Sequence, residues 1–280
     1  MIVSPKDIRG GLIMKRVNEH YKESLTHFSY SRIVGIFLQG SQNYGLDYEK
    51  SDVDTKLIVV PTFEDIVFNK KPISTTHVLE NDEHVDWKDI RLYMQTFAKQ
   101  NLNFLEILFT DFSIVNPDYA DDWQMLVNKR ELIAHMNPYR AVKSMKGVAM
   151  EKYHAMEHEY PSKVNALKEF GYDPKQLHHL LRVEEYLGRY ISDEPYRDCL
   201  RPRNPEYLLD VKRGFYNLED ARVVANTAIA NVTRIADTFC EQVEDRVDEA
   251  AQDLLDTVQY NIMYSAIVER KVNFTNDSVF

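Results

Sequence analysis

The stretch LQGSQNYGLDYEKSDVDTKLIVV, Leu38 to Val60, places a Gly-Ser turn after one apolar run and two aspartates, one residue apart, at the head of the next. Upstream of it, Arg32 to Gln39 (RIVGIFLQ) is short, apolar and β-branched, which predicts a buried strand running into a tight turn at Gly40-Ser41. Glycine at that turn lets an anion approach the backbone, and Ser41 adds a hydroxyl where exposed N–H groups could face a phosphate. Downstream, Asp52-Val53-Asp54-Thr55-Lys56-Leu57-Ile58-Val59-Val60 reads as a second strand. Side chains alternate across a strand, so Asp52, Asp54 and Lys56 share one face while Val53, Thr55 and Leu57 share the other. Two neighbouring carboxylates on one face repel each other unless a cation lies between them. Mg²⁺, or Mn²⁺, suits carboxylate and phosphate oxygens. A lone D-x-D is common on solvated strand ends; the combination with the Gly-Ser turn carries the metal–nucleotide reading.

Strand, Gly-Ser and D-x-D together resemble the signature of the DNA polymerase β nucleotidyltransferase superfamily, and the chain is similar to its RNA-repair-associated branch, RlaP. The stretches that carry the resemblance are GSQNYGLDYEKSDVD, then DIRLYMQTFAKQNLNFLEILF (Asp89 to Phe109), then GYDPKQLHHLLRVEEYL (Gly171 to Leu187) with LLDVKRGFYNLEDA (Leu208 to Ala221). Leu102 stands where the family often has a proline after asparagine, and Lys56, which follows the acidic pair, is a candidate phosphate contact. The resemblance implies transfer of a nucleoside monophosphate from a nucleoside triphosphate such as ATP to an acceptor hydroxyl, with release of pyrophosphate. It also implies an RNA end, tRNA included, as acceptor; relatives that modify proteins or small molecules give an alternative, and a silent nucleotide-binding module a third.

The superfamily supplies a third carboxylate from a later strand. Thr76 to Glu80 and His84 to Lys88 read as a hairpin around Asn81-Asp82. Val85 and Trp87 would pack inward, leaving Asp86 on the opposite side as a base for the attacking hydroxyl or a metal ligand. Asp89 reads as the N-cap of a helix beginning at Ile90, and Glu83 as a turn residue.

The second half carries a further constellation. Asp173-Pro174 opens a helix, along which Lys175, His179 and Arg182 fall at i, i+4 and i+7 on one face. Such a stripe would neutralise phosphates, or would be a solvated face paired with Glu184 and Glu185. His178 lies off it. Lys212 and Gly214 read as a helix end with a glycine cap. Tyr44, beside the turn, is a candidate to stack on a base. Lys143, Lys146 and Lys152 could track a phosphate backbone, though exposed helical lysines usually serve solubility.

These readings give an α+β expectation: a small mixed β-sheet core with flanking helices over residues 1–137, then a mostly α-helical domain over 138–280, divided at Asn137-Pro138. The first helix is expected over residues 5–27 with Ile8, Leu12, Ile13 and Val17 on one side. Later helices are expected over Tyr139–His158, Pro174–Tyr190, Leu218–Asp245 and Val247–Val268. Of 280 residues, 44 are acidic and 34 basic, a net charge of −10 that argues against a surface gripping nucleic acid everywhere. Two cysteines, Cys199 and Cys240, give neither a disulfide framework nor a zinc motif. No run approaches the roughly 18 apolar residues of a membrane span, and the first residues lack a signal peptide's apolar core, so the expected location is cytoplasmic.

Overall fold

The computed structural model describes residues 5–48, 51–160 and 164–267. Helix α1 (Pro5–Ser24) leads into β1 (Ile33–Gln39), a 3₁₀ turn at Ser41–Asn43 and β2 (Asp54–Val59). Then follow α2 (Phe63–Val67), β3 (Ser74–Val78), β4 (His84–Asp89), α3 (Ile90–Ala98), α4 (Leu102–Leu105), β5 (Ser113–Val115), α5 (Ala120–Asn128) and α6 (Arg130–Ala134). The remainder is helical: α7 (Pro138–Ala155), α8 (Val164–Phe170), α9 (Pro174–Tyr190), α10 (Tyr196–Leu200), α11 (Pro205–Lys212), α12 (Leu218–Gln242) and α13 (Glu249–Ile267). The expected end at Val268 lies outside the described residues.

The strands form one mixed sheet in the order β3-β4-β2-β1-β5. β2 is antiparallel to β1 and parallel to β4, with Lys56 opposite Asp86. The expected hairpin is present as antiparallel β3 and β4, with β3 beginning two residues early, at Ser74. Alternation splits the sheet into two faces. Ile33, Ile36, Leu38, Val53, Leu57, Val59 and Val85 pack against Ile13, Val17 and Phe28 of the N-terminal segment. On the other face Val34, Phe37 and Ile58 join a core continuing through Leu180, Ala228 and Leu255 of the later helices. Each such side chain contributes about 1.5–3 kcal/mol on burial, so this continuity binds both halves of the chain together. Asn137 caps α7 at the expected break, its side chain accepting from the Arg140 N–H.

Two expectations need correction here. Leu12 is exposed, so only Ile13 and Val17 of the expected α1 stripe are buried; the side chain of Ile8 lies outside the described residues. The turn reading of Glu83 is incomplete: its carbonyl closes the hairpin turn, accepting from the Leu79 N–H at 2.9 Å, but its side chain is also a buried anchor that accepts from the Val53 N–H at 3.1 Å, meets His20 Nε2 at 2.8 Å and pairs with Arg16. Burial alone would raise its pKa, but hydrogen bonds from Arg16, His20, Asn81 and the Val53 N–H outweigh that and hold it below the usual carboxylate range. Cys199 and Cys240 are both free. No helix among the described residues is long and apolar enough to cross a membrane.

Candidate active site on the carboxylate face of the sheet

β1 delivers the chain to Gly40, whose φ of 86° and ψ of −156° lie in a region that only glycine occupies readily. A Cβ there would meet nothing within 4 Å, so backbone conformation, not crowding, demands the glycine. Ser41 starts the following 3₁₀ turn and its carbonyl accepts from the Tyr44 and Leu46 N–H groups at 3.1 and 3.0 Å. Asn43 braces the turn, donating to the Leu38 carbonyl at 3.0 Å and accepting from the Thr110 hydroxyl at 2.7 Å. Gln42 ties it to the second strand through the Asp52 carbonyl at 3.2 Å.

β2 begins at Asp54. Asp52, two residues earlier, is exposed, and the Val53 between them is fixed by Glu83, so both aspartates sit at the mouth of the strand. Asp54 accepts from the backbone N–H of His84 at 3.2 Å and faces the His84 Nδ1 at the same distance. One step deeper, Lys56 is only 3 % exposed. Its Nζ lies 3.4 Å from Asp86 Oδ2 and 4.2 Å from the Phe104 ring centroid, with the Lys88 ammonium 3.7 Å from the same centroid. Burial lowers the pKa of Lys56, partly offset by Asp86, and burial lowers that of Lys88 as well. Asp86 also accepts from the Thr76 hydroxyl at 2.6 Å.

The opposing wall comes from α9 and α11. Arg182 places its guanidinium 3.7 Å from the Tyr44 ring centroid, with its Nε buried and without a hydrogen-bond partner. Beside it, Glu106, 7 % exposed, accepts from the Gly40 N–H at 3.2 Å. Burial pushes Glu106 up to about 7, against the pull of Arg182 and that N–H. The Gly40 turn therefore already holds an internal anion of marginal charge, balanced by a cation from the second half of the chain. Burial, reinforced by His178, Arg182, Lys175 and Lys152, lowers the pKa of His179 and keeps it neutral. Lys175 is exposed at the start of α9. Lys212 lies 3.4 Å from the Leu46 carbonyl and 4.6 Å from the Tyr48 ring centroid, within the field of Asp47 and Asp52.

The expected stripe thus divides: Lys175 faces solvent, while His179 and Arg182 turn inward. Tyr44 is 4 % exposed beneath Arg182, a packing surface instead of an open stacking platform. Lys56 is a buried partner of Asp86 rather than an open phosphate contact. His178 is buried, its Nδ1 2.7 Å from the Leu208 carbonyl, and Asp89 caps α3. Gly214, φ 92°, ends α11 as a cap, but Lys212 reaches the site. Lys146 pairs with Asp237 and Lys143 leans on Tyr139. Glu106 and Lys88 are site residues that the sequence left unassigned, and Lys212, read as part of a helix end, also reaches the site. A lone Glu inside the apolar run Phe104 to Phe109 was the available signal, since an ionisable group is rarely buried without a partner.

Asp54 and Asp86 supply oxygen donors on one face of adjacent strands, with the exposed Asp52 two residues ahead of β2, a donor set that fits a hard divalent cation. Among the described residues they do not converge within 4.8 Å of one another; Asp86 is drawn to Lys56 and Thr76, and Asp54 to His84. A cation here would compete with Lys56 for Asp86. No family model matches the chain, and no curated protein is similar to it in sequence.

Proposed function

We propose that the chain is a metal-dependent nucleotidyltransferase of the polymerase β type. The observation that carries this reading is the juxtaposition of the Gly40 turn, at the end of β1, with Asp54 and Asp86 on one face of the adjoining β2 and β4 and with Asp52 just ahead of β2. The triphosphate would lie with its β- and γ-phosphates on Gly40-Ser41 and its α-phosphate toward the aspartates. Lys175, Lys212 and Arg182 offset its charge. Asp52, Asp54 and Asp86 would hold Mg²⁺ or Mn²⁺, which neutralises phosphate charge and activates the nucleophile. The acceptor oxygen attacks the α-phosphorus, the bond to the bridging oxygen breaks, and pyrophosphate departs with that electron pair. Asp86, released from Lys56, takes the hydroxyl proton or serves as the third ligand.

An RNA end, as in the RlaP branch, is the acceptor the motifs favour. A protein or small-molecule acceptor is the second reading, favoured by the net charge of −10. Incubation with each α-labelled ribonucleoside triphosphate, Mg²⁺ and a mixture of cellular RNA and protein, beside Asp54→Asn, separates them. Label on RNA that vanishes in the variant supports the first reading, and label on protein the second; label unchanged by the variant contradicts both.

A further inference from the structure

On the opposite face of the sheet, α1 and the edge strand β3 bring together Glu23, His27 and His77, whose ligand atoms all lie within 4.8 Å of one another. A single oxygen, Glu23 Oε1, stands 3.6 Å from His27 Nε2 and 3.5 Å from His77 Nε2. These separations exceed hydrogen-bond length, about 2.7–3.2 Å for nitrogen and oxygen. They match something else. Bonds of about 2.0–2.2 Å from zinc to imidazole nitrogen and carboxylate oxygen give a tetrahedron whose ligand–ligand edge is about 3.4 Å. The geometry points to a Zn²⁺ site formed by Glu23, His27 and His77, clipping the C-terminal end of α1 to β3.

Both imidazoles are held in place by groups outside the cluster. Glu23 sits in the last turn of α1, and His27 four residues later in a bend closed by the Thr26 N–H to Glu23 carbonyl and His27 and Phe28 N–H to Ser24 carbonyl bonds. His77 lies opposite Val85 in the β3–β4 ladder. Trp87 supports both rings: His77 stacks on it at 4.5 Å between centroids, and His27 lies at 4.8 Å. Such support sets the ring orientations before an ion arrives. Among the described residues Glu23 pairs with no lysine or arginine, so no fixed cation competes for its charge.

All three ligands are partly exposed, which leaves a fourth, solvent-facing position for water, as in three-ligand zinc sites. Two imidazoles and one carboxylate favour zinc and its neighbours Cu²⁺ and Ni²⁺ over Mg²⁺. The site is therefore chemically distinct from the all-carboxylate face on the other side of the sheet. An ion here would join two segments far apart in sequence, and so stabilise the folded chain in proportion to its affinity.

The test uses the full chain stripped with a chelator. Equilibrium dialysis with Zn²⁺ is expected to give one ion per chain at this site, with affinity reduced about a hundredfold in His77→Ala and in the exposed-site variant His27→Gln, and unchanged in Asp54→Asn. Because Trp87 touches both imidazoles, Cu²⁺ should quench part of the tryptophan emission, and Trp87→Phe or His77→Ala should abolish that part; the second tryptophan, Trp123, lies against Phe37 in the other core. Zinc binding that survives both histidine variants, zinc lost only in Asp54→Asn, or no zinc bound by the folded wild-type chain would overturn the assignment.

Discussion

Replacing Glu106 with glutamine isolates the buried charge beside the Gly40 turn. In the folded chain burial lifts this carboxyl from its ordinary 4.5 to about 7. Between those values the unfolded chain has released the proton and the folded chain retains it, so folding binds protons and stability falls as pH rises. The whole penalty is in place above pH 7 and absent below the unfolded value. A rise of this size corresponds to about 3 kcal/mol at 25 °C. Glu106→Gln keeps an oxygen able to accept from the Gly40 N–H, 3.2 Å away in the wild type, and removes the titration. Urea denaturation of both proteins at intervals from pH 5 to 8.5 reads the difference directly. The wild type should lose about 2.5 kcal/mol more than the variant across that range, a small part of the penalty being already present at pH 5, and the other carboxylates cancel because both proteins carry them. Parallel stability curves, or a wild type that gains relative to the variant as pH rises, would refute the buried-anion account.

The remaining expectations concern the same face. Gly40→Ala should cost roughly 1–3 kcal/mol in denaturation experiments, through backbone strain and not through a clash, because φ is 86° and the space is open. Asp86→Asn leaves Lys56 buried without its anion, and because Asp86 is itself partly exposed the cost should be about 2 kcal/mol, below that of breaking a fully buried pair; Lys56→Met in the same background should recover most of it. Arg182→Lys forfeits the planar group over Tyr44 and should lower stability by about 1–2 kcal/mol, with nucleotide affinity falling in parallel in a binding titration.

The α+β architecture was legible because two local rules dominate it. Period-two alternation placed Asp54 and Lys56 on one face and Thr55 and Leu57 on the other, and the β3–β4 hairpin followed from Asn81-Asp82 between extended runs. Caps did the same for helices: Asp89, Asn137 and Asp173 each accept from a backbone N–H of the helix they precede. What stayed hidden depends on partners distant in sequence. Tyr44 disappears under Arg182 because α9 folds over the turn, and Glu83 becomes a buried anchor because α1 brings Arg16 and His20 to it. Glu106 sits in a run whose apolar character promised only core; its meeting with Gly40 and Arg182 is a tertiary event. His77 joins Glu23 and His27 only once β3 lies beside the end of α1.

The carboxylate face and the Gly40 turn act together in this account, so nucleotide binding should require both metal and aspartates. Isothermal titration of the full chain with a nucleoside triphosphate carrying a non-cleavable α,β-bridge, in Mg²⁺ and then in EDTA, tests this for the wild type and for Asp52→Asn combined with Asp54→Asn. Binding at one site per chain that is lost both in EDTA and in the double variant is the predicted result. Binding that ignores both changes, or no binding by the folded wild-type chain, would contradict a nucleotidyl-transfer site on this sheet.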